Sequence, residues 1–495
     1  MSTATFYLGD VAEVLAQMEP RTFDAVLTDP PYALADMTTS KTIDLLQAWL
    51  AMQEYNTGAG FMGRKWDVMP SPAAWQAVRR VQKPGALLFA FGGTRTQDFL
   101  SLGLRLGGYE IRDCIAWMHS QGFAKGANIS KKLDEEAGAE REVVGRKRFA
   151  NGTYQRATAR AGLYSETRGQ AKQTAPATDL ARDWDDYHSN LRPSHEPIII
   201  AQNQRDGTFA NNARVWGCGG LNVGGCRIER WGESTVRPLC HNAYQNGQLL
   251  GEGSGTRAKQ QYSGTTTKGA FPQNTLLSCE CETDDHERPG CQVRALAEQS
   301  GERPSGGQGR SLPEMKHGAW RTGHKARVVN NPRGADTGTA ARFYYCAKSS
   351  PSERHKGLDD FYWVRDKRRP SGFRRIDKET WEQTPKRQRA TGNIHPTVKP
   401  LEILRYIATL LLPPPRETPR RLLVPFCGSG SEVLAALQDG WDEVVGIDMV
   451  DDYLDIARAR VQHWDITGAV ELDAPLFQGQ QPRRERARAE QRRLF

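Results

Sequence analysis

Two short stretches near opposite ends of the chain carry residue types that could do chemistry together. The first, TDPPYAL (28–34), follows the apolar run FDAVLTD (23–29). Its two consecutive prolines remove two N–H donors and stiffen the turn. They leave main-chain carbonyls, notably that of Pro30, beside the Asp29 carboxylate, with the Tyr32 ring adjacent. Two acceptors and a flat ring suit a planar group that bears an NH2. Such an amine is a poor nucleophile because its lone pair is delocalised into the ring. Acceptors on both N–H bonds favour a pyramidal nitrogen and stabilise the charge that develops as it attacks an electrophilic methyl. The competing reading is an ordinary surface turn.

The second stretch, PFCGSG (425–430), lies between an apolar strand pattern and a helix pattern. Gly428 and Gly430 let the backbone approach a ligand, and helix N-terminal amides favour a negative group. Asp448 follows Gly430 by 18 residues, at the end of the next strand pattern. An acid there can accept both hydroxyls of a ribose. The loop fits neither the dinucleotide fingerprint nor the P-loop, so an adenosine-type cofactor of another kind is favoured. A third cluster, CECETDDHERPGC (279–291), places Cys279, Cys281, His286 and Cys291 within thirteen residues. These four types can ligate zinc. Their spacing matches no familiar finger, so the expectation is no metal and reduced surface thiols in a loop.

These residues need a scaffold. FDAVLTD (23–29), GALLFAFGG (85–93), YEIRDCIAWMH (109–119), HEPIIIAQ (195–202), RFYYCAK (342–348) and DEVVGID (442–448) read as strands. Helical patterns fall at 73–85, 399–412 and 451–464, and 421–440 reads as strand, glycine loop, helix. Strands separated by helices predict a parallel or mixed sheet covered on both faces. Residues 131–190 and 203–340 are poor in apolar runs.

The chain has 495 residues, 38% hydrophobic and 25% charged, with a net charge of +9. Residues 1–130 and 396–475 together carry −7, residues 131–395 carry +12 and the last twenty carry +4. An acidic core with a basic middle suggests an anionic partner, most often nucleic acid. KRRPSGFRR (367–375), Phe361, Tyr362, Trp363, Trp381 and the arginines of 483–493 are the candidate contacts with phosphates and bases. No run approaches 18 apolar residues, so no membrane helix is expected. The N-terminus lacks the basic start and apolar run of a signal peptide. Nine cysteines suit reduced thiols in a cytoplasmic chain better than a disulfide framework.

The combination of DPPY (29–32), FCGSG (426–430) and HPTVKP (395–400) resembles the S-adenosylmethionine-dependent amino-methyltransferases of DNA. The order, DPPY first and glycine loop last, resembles their β class. GFMGRKWD (60–67), FGGTRT (91–96), GFAKGANISKKLD (122–134), RPSHEPIIIAQ (192–202) and GGLNVGGCRI (219–228) resemble a phage and prophage branch. The likeness covers roughly 5–145, 190–230 and 340–465. It implies a doubly wound α/β fold, a seven-stranded Rossmann-like sheet that is circularly permuted, with a large irregular target-recognition insertion. The expected divisions are 1–145, the catalytic half of the core; 146–190, a loop or flap; 191–205, a core strand returning; 206–340, the target-recognition insertion; 341–395, a basic connecting segment; 396–475, the cofactor-binding half; and 476–495, a basic tail.

The resemblance further implies that Asp29, Pro30, Pro31 and Tyr32 form the catalytic turn. Phe426, Cys427, Gly428, Ser429 and Gly430 would line the methionine end of S-adenosylmethionine, and Asp448 would bind its ribose. Asp10 would lie near its adenine, and Thr397 and Lys399 near its carboxylate. The partner would be double-stranded DNA, with no obligate protein partner. Adenine enzymes of the family mostly carry DPPY and cytosine-amine enzymes more often SPPY, so adenine N6 is expected, with cytosine N4 as the alternative. The family usually has an acid just before PFCGSG, where Val424 stands here. That departure supports a rival reading, a catalytically weak DNA-binding protein on the same scaffold.

Overall fold

Apolar residues in the central strands go alternately to two separate cores, and this alternation organises the fold. A computed structural model describes residues 2–33, 37–55, 67–119, 126–146, 172–228, 271–279, 281, 286, 291–301, 344–348, 351–465, 470–472 and a few short strand fragments between. Ten strands form one sheet: β1 (Ser2–Leu8), β2 (Phe23–Thr28), β3 (Gln82–Phe91), β4 (Glu110–Met118), β5 (His195–Gln202), β6 (Thr275–Cys279), β7 (Tyr345–Lys348), β11 (Arg421–Pro425), β12 (Glu443–Asp448) and β13 (Val470–Leu472). Three more, β8 (Tyr362–Arg365), β9 (Phe373–Ile376) and β10 (Arg389–Thr391), make a small antiparallel sheet in the order β9-β8-β10. The large sheet runs β7-β6-β4-β5-β3-β2-β11-β12-β1-β13. Only the pairings of β5 with β3 and β4 are antiparallel.

Helices cover both faces. Ala25, Leu27, Phe89, Ile198, Ile200, Leu422 and Val424 face a core closed by α6 (Leu401–Leu411), α7 (Ser431–Gln438) and α8 (Asp451–Trp464). Val26, Leu88, Ile199, Leu423 and Val445 face the opposite core, closed by α1 (Val11–Ala16), α2 (Thr39–Leu50), α3 (Pro72–Val81) and α4 (Gln97–Leu106). A strand buried on both faces is apolar along its middle, which explains Ala25–Leu27 in β2 and Ala86–Phe91 in β3. The start of α3 follows from Ser71, whose hydroxyl accepts from Ala74 N, and from Pro72 in the first turn. Its buried face, Trp75, Val78 and Val81, repeats at helical spacing.

The sheet differs from the expectation in three ways. It has ten strands where seven were expected, because β6, β7 and β13 extend its edges. The segment 206–340, read as wholly irregular, contributes β6 and the helix α5 (Gln292–Ser300) to this edge. β1 was not read as a strand, although it lies between β12 and β13. Within the expected flap, Lys172–Thr174 pairs with Val143–Arg146 and Asp179–Asp183 is helical. The tail 476–495 lies outside the described residues.

At the amino end of β2, buried Asp24 accepts from Lys83 Nζ at 2.5 Å, from Arg421 N at 2.8 Å and from the Arg416 guanidinium. One carboxylate thus joins the first part of the chain to the last. Removing it would strand two cations that are less than one-fifth exposed. Loss of one partner of a buried pair costs about 3–5 kcal/mol when burial is complete. Asp24→Ala should therefore destabilise the fold by about 3 kcal/mol in urea unfolding, and Asp24→Asn, which keeps an acceptor for Arg421 N, by less. A loss below about 0.5 kcal/mol for the alanine variant would contradict this role.

Candidate active site

The two chemistry-bearing stretches meet because β2 and β11 are adjacent and parallel. Thr28 Oγ1 donates to Pro425 O at 2.7 Å, across 397 positions of sequence. Beyond β11 the chain turns sharply: Phe426 takes φ +59° and Cys427 N donates to Ile447 O at 2.9 Å. Gly428 has φ +49°, and a Cβ there would lie 2.7 Å from His395 Nε2. Gly430, at φ +72°, starts α7, and a Cβ there would lie 2.7 Å from Ala457 Cβ. The loop therefore needs both glycines for space as well as for backbone conformation.

A cavity of about 810 Å³ opens over these strand ends, within the usual size range of small-molecule sites. Asp10, all four residues of the DPPY turn, Thr397, Lys399, Asp448 and the FCGS part of the loop line it. Gly430 does not; its part is the helix start. Asp448 accepts from Gly428 N at 2.8 Å and from Val450 N at 2.9 Å. Burial pushes its carboxyl up to about 6, against the pull of those amides. Exposed Asp10 caps α1, accepting from Ala12 N at 2.8 Å and Glu13 N at 3.2 Å.

At the DPPY turn the geometry adds an element the sequence reading placed elsewhere. Lys399, expected near a cofactor carboxylate, directs its ammonium to Asp29 Oδ2 at 2.8 Å, Tyr32 OH at 3.1 Å and Glu196 Oε2 at 3.2 Å. Tyr32 OH in turn donates to Glu196 Oε2 at 3.0 Å. The reason is electrostatic: a buried ammonium goes to the nearest carboxylates. Burial alone favours a neutral lysine, but Asp29 and Glu196 hold its pKa above the usual value. Burial raises Asp29, Lys399 opposes the rise and Glu196 adds to it. Asp29 Oδ1 is buried and has no hydrogen-bond partner among the described residues. A buried acceptor without a donor is costly and calls for one. The turn itself is fastened by Thr96 Oγ1 to Tyr32 O at 2.8 Å and by Ala33 N to Asp67 Oδ1 at 2.9 Å.

Sequence reading missed Glu196, Glu432 and Arg460. Glu196 lay inside the quoted stretch RPSHEPIIIAQ, but nothing in the strand pattern said that it faces the DPPY turn. Glu432, in the first turn of α7, lines the cavity, and its carboxyl is pushed up to about 7 by burial and by the charge of Asp29. Arg460, fully buried on α8, donates to Ser429 O at 2.7 Å and Ser431 Oγ at 2.8 Å and so braces the glycine loop. Val424 is fully buried in the core beneath α6 and α7. Val424 does not line the cavity, whereas Glu432 brings a carboxyl to its wall.

Two other expectations change. Trp363 and Phe361 were candidates for contact with bases, yet both are buried against Leu358 and Ile456 as a small core. Within 367–375, Arg369 is held by Asp452 at 2.6 Å and Arg368 by Asp366 at 3.1 Å. The cysteines of 279–291 are not surface thiols: Cys279, Cys281 and Cys291 are all buried.

Residues 23–459 match the N6/N4 family described as DNA methylase. Among solved structures, a putative DNA modification methylase from Thermus thermophilus is 10% identical over 95% of this chain and 99% of that chain, with a TM-score of 0.34. The cytosine-N4-specific PvuII DNA methyltransferase is 9% identical over 93% and 86%, with a TM-score of 0.36. M1.HpyAVI as its SAM complex is 10% identical over 92% and 100%, with a TM-score of 0.31. No curated protein matches. The family match spans most of the sequence and includes both the DPPY turn and the glycine loop, so the chain belongs to the N6/N4 DNA methylase family.

Proposed function

We propose that the chain methylates the N6 amine of an adenine turned out of double-stranded DNA, with S-adenosylmethionine as donor. The observation that carries this reading is Asp29 Oδ1, a buried acceptor with no partner among the described residues, in a turn where the other oxygen of Asp29 is held by Lys399. An exocyclic amine supplies the donor that this oxygen lacks. The Pro30 carbonyl is the second acceptor for the same NH2. Lys399 and Glu196 fix Asp29 and Tyr32 in place, so the acceptors are oriented before the base arrives. A single cation between two carboxylates leaves the turn with a net negative charge, which favours the positive charge that develops on the amine nitrogen.

Bound there, S-adenosylmethionine would supply an electrophilic sulfonium methyl and keep the sulfur as its thioether; the amine held at Asp29 and the Pro30 carbonyl would receive the methyl and release its surplus proton to solvent. The residues present fit that group. Gly428 brings bare backbone to the cavity wall, and Asp448, partly buried there, presents a carboxylate to a ribose diol. Glu432 offers the acid that Val424 does not. Asp29 at the head of the turn favours adenine over cytosine N4, and the basic residues of 131–395 and the tail supply the DNA-facing charge. Segment 206–340 is proposed as the target-recognition region.

Tritiated-methyl transfer to duplex DNA, followed by digestion to nucleosides, tests the reading. Wild-type protein should label N6-methyldeoxyadenosine. Asp29→Ala should lose at least about 100-fold in kcat, the usual scale for a removed charge-stabilising group, while S-adenosylmethionine affinity is kept. Label in N4-methyldeoxycytidine would move the assignment to the alternative. Undiminished transfer by Asp29→Ala would remove the assigned role, and no binding of S-adenosylmethionine would favour the DNA-binding rival.

The pH dependence of cofactor binding follows from Asp448. Its folded value, about 6, is raised, so the carboxyl is protonated below that pH. A ribose diol donates to the charged form, so binding expels a proton there. Affinity should be full above about pH 7 and fall roughly tenfold per pH unit below 6. Calorimetry should show this slope in wild-type protein and a flat profile in Asp448→Asn. A flat wild-type profile, or an unchanged slope in the variant, would contradict the assignment.

A further inference from the structure

Cys279, Cys281, His286 and Cys291 each bring one ligand atom to a common point away from the methyl-transfer cavity. All four atoms lie within 4.8 Å of one another. His286 Nδ1 stands 3.3 Å from Cys279 Sγ and 3.7 Å from Cys291 Sγ. The donors around a tetrahedral zinc, with bonds of about 2.0–2.3 Å, stand roughly 3.3–3.8 Å apart. The two distances from His286 already match that spacing; the widest separation, 4.8 Å, exceeds it by about 1 Å, a gap that side-chain rotation can close. The three cysteines are buried, the histidine is half-buried, and none of the cysteines is in a disulfide.

We infer that these four residues bind one structural zinc ion. Three thiolates and an imidazole are a known closed donor set for zinc, and they leave no open position for catalysis. The set contains no carboxylate or carbonyl oxygen, so calcium and magnesium do not suit it. The local backbone also fits a ligand cluster. His286 takes φ +53°, a left-handed conformation that side chains seldom adopt without a holding contact. Cys291 occupies the N-cap of α5, yet its side chain makes no capping hydrogen bond.

The ion would fasten α5 to the end of β6. Cys279 is the last residue of β6, and β6 runs parallel to β4 at the sheet edge. Gln292, next to Cys291, donates to Met118 O at 3.0 Å and also to Ser278 O. Trp117 Nε1 donates to Ser278 Oγ at 2.9 Å. Trp117 and His119 line the cavity that holds Asp29. The zinc thus braces the outer wall of that cavity through β6, and it needs no part of the methyl-transfer reading to be present.

Elemental analysis of the full chain, purified under reducing conditions with zinc supplied and excess metal removed, tests the inference. About one zinc per chain is expected. Replacement by cobalt(II) should give the intense thiolate charge-transfer and tetrahedral d–d absorption of a sulfur-rich site. Cys281→Ser and His286→Ala should each lose most of the zinc, and Cys114→Ser should retain it. If a variant fails to fold, titration of wild-type protein with a thiol-specific mercurial decides: one zinc should leave as three thiols react. Zinc well below one per chain together with no cobalt–thiolate absorption would overturn the inference. So would full zinc retention by both folded variants, or release that does not follow the thiols.

Discussion

The site depends on one pairing, the parallel contact between β2 and β11. Leu422 lies opposite Ala25 and Leu423 opposite Val26. That register places Thr28 against Pro425, so the DPPY turn and the glycine loop leave the sheet side by side. A one-residue slip would turn every side chain of β11 to the wrong face and move the loop off the turn. The register is pinned at both ends, by Asp24 with its cations and Arg421 N, and by the Thr28–Pro425 hydrogen bond. Burial on both faces does the rest, because Leu422 and Leu423 serve different cores.

Charge placement at the turn follows from that geometry. Lys399 precedes α6, Glu196 is the second residue of β5 and Asp29 follows β2, so three separate parts of the chain deliver one cation and two anions to one point. None of the three could be buried alone without a large cost. Together they set a turn in which one oxygen of Asp29 is occupied and the other is held ready. Such an arrangement is costly to the fold and useful to a reaction, which is the usual sign of a functional site.

Much of this was legible in the sequence, for a physical reason. Strands buried on both faces are apolar along their middle, so β2, β3, β5 and β12 announced themselves, and α6 and α8 repeat at helical spacing. The DPPY turn and the glycine loop were legible because proline, aspartate and glycine have backbone effects that other residues do not share. β1 was missed because STATFYL, although Ala4, Phe6 and Leu8 alternate with Thr3, Thr5 and Tyr7, lacks the continuous apolar run that marked the other strands. The bond from Lys399 to Asp29 was missed because it spans 370 positions and depends on register, which spacing does not encode. Glu196 was missed for the same reason. Phe361 and Trp363 were misassigned because an aromatic residue in a basic stretch looks alike whether it packs inward or faces a partner. The cysteine cluster was discounted on spacing alone, although convergence in space is what decides a metal site.

The central claim is that Asp29 Oδ1 receives the amine of a base turned out of the duplex. A structure of the ternary complex with S-adenosylhomocysteine and duplex DNA measures this directly. An adenine N6 should lie about 2.7–3.2 Å from Asp29 Oδ1, with Lys399 still on Oδ2. A duplex bound with its bases stacked over the cavity, or an amine held by groups other than Asp29, would contradict it.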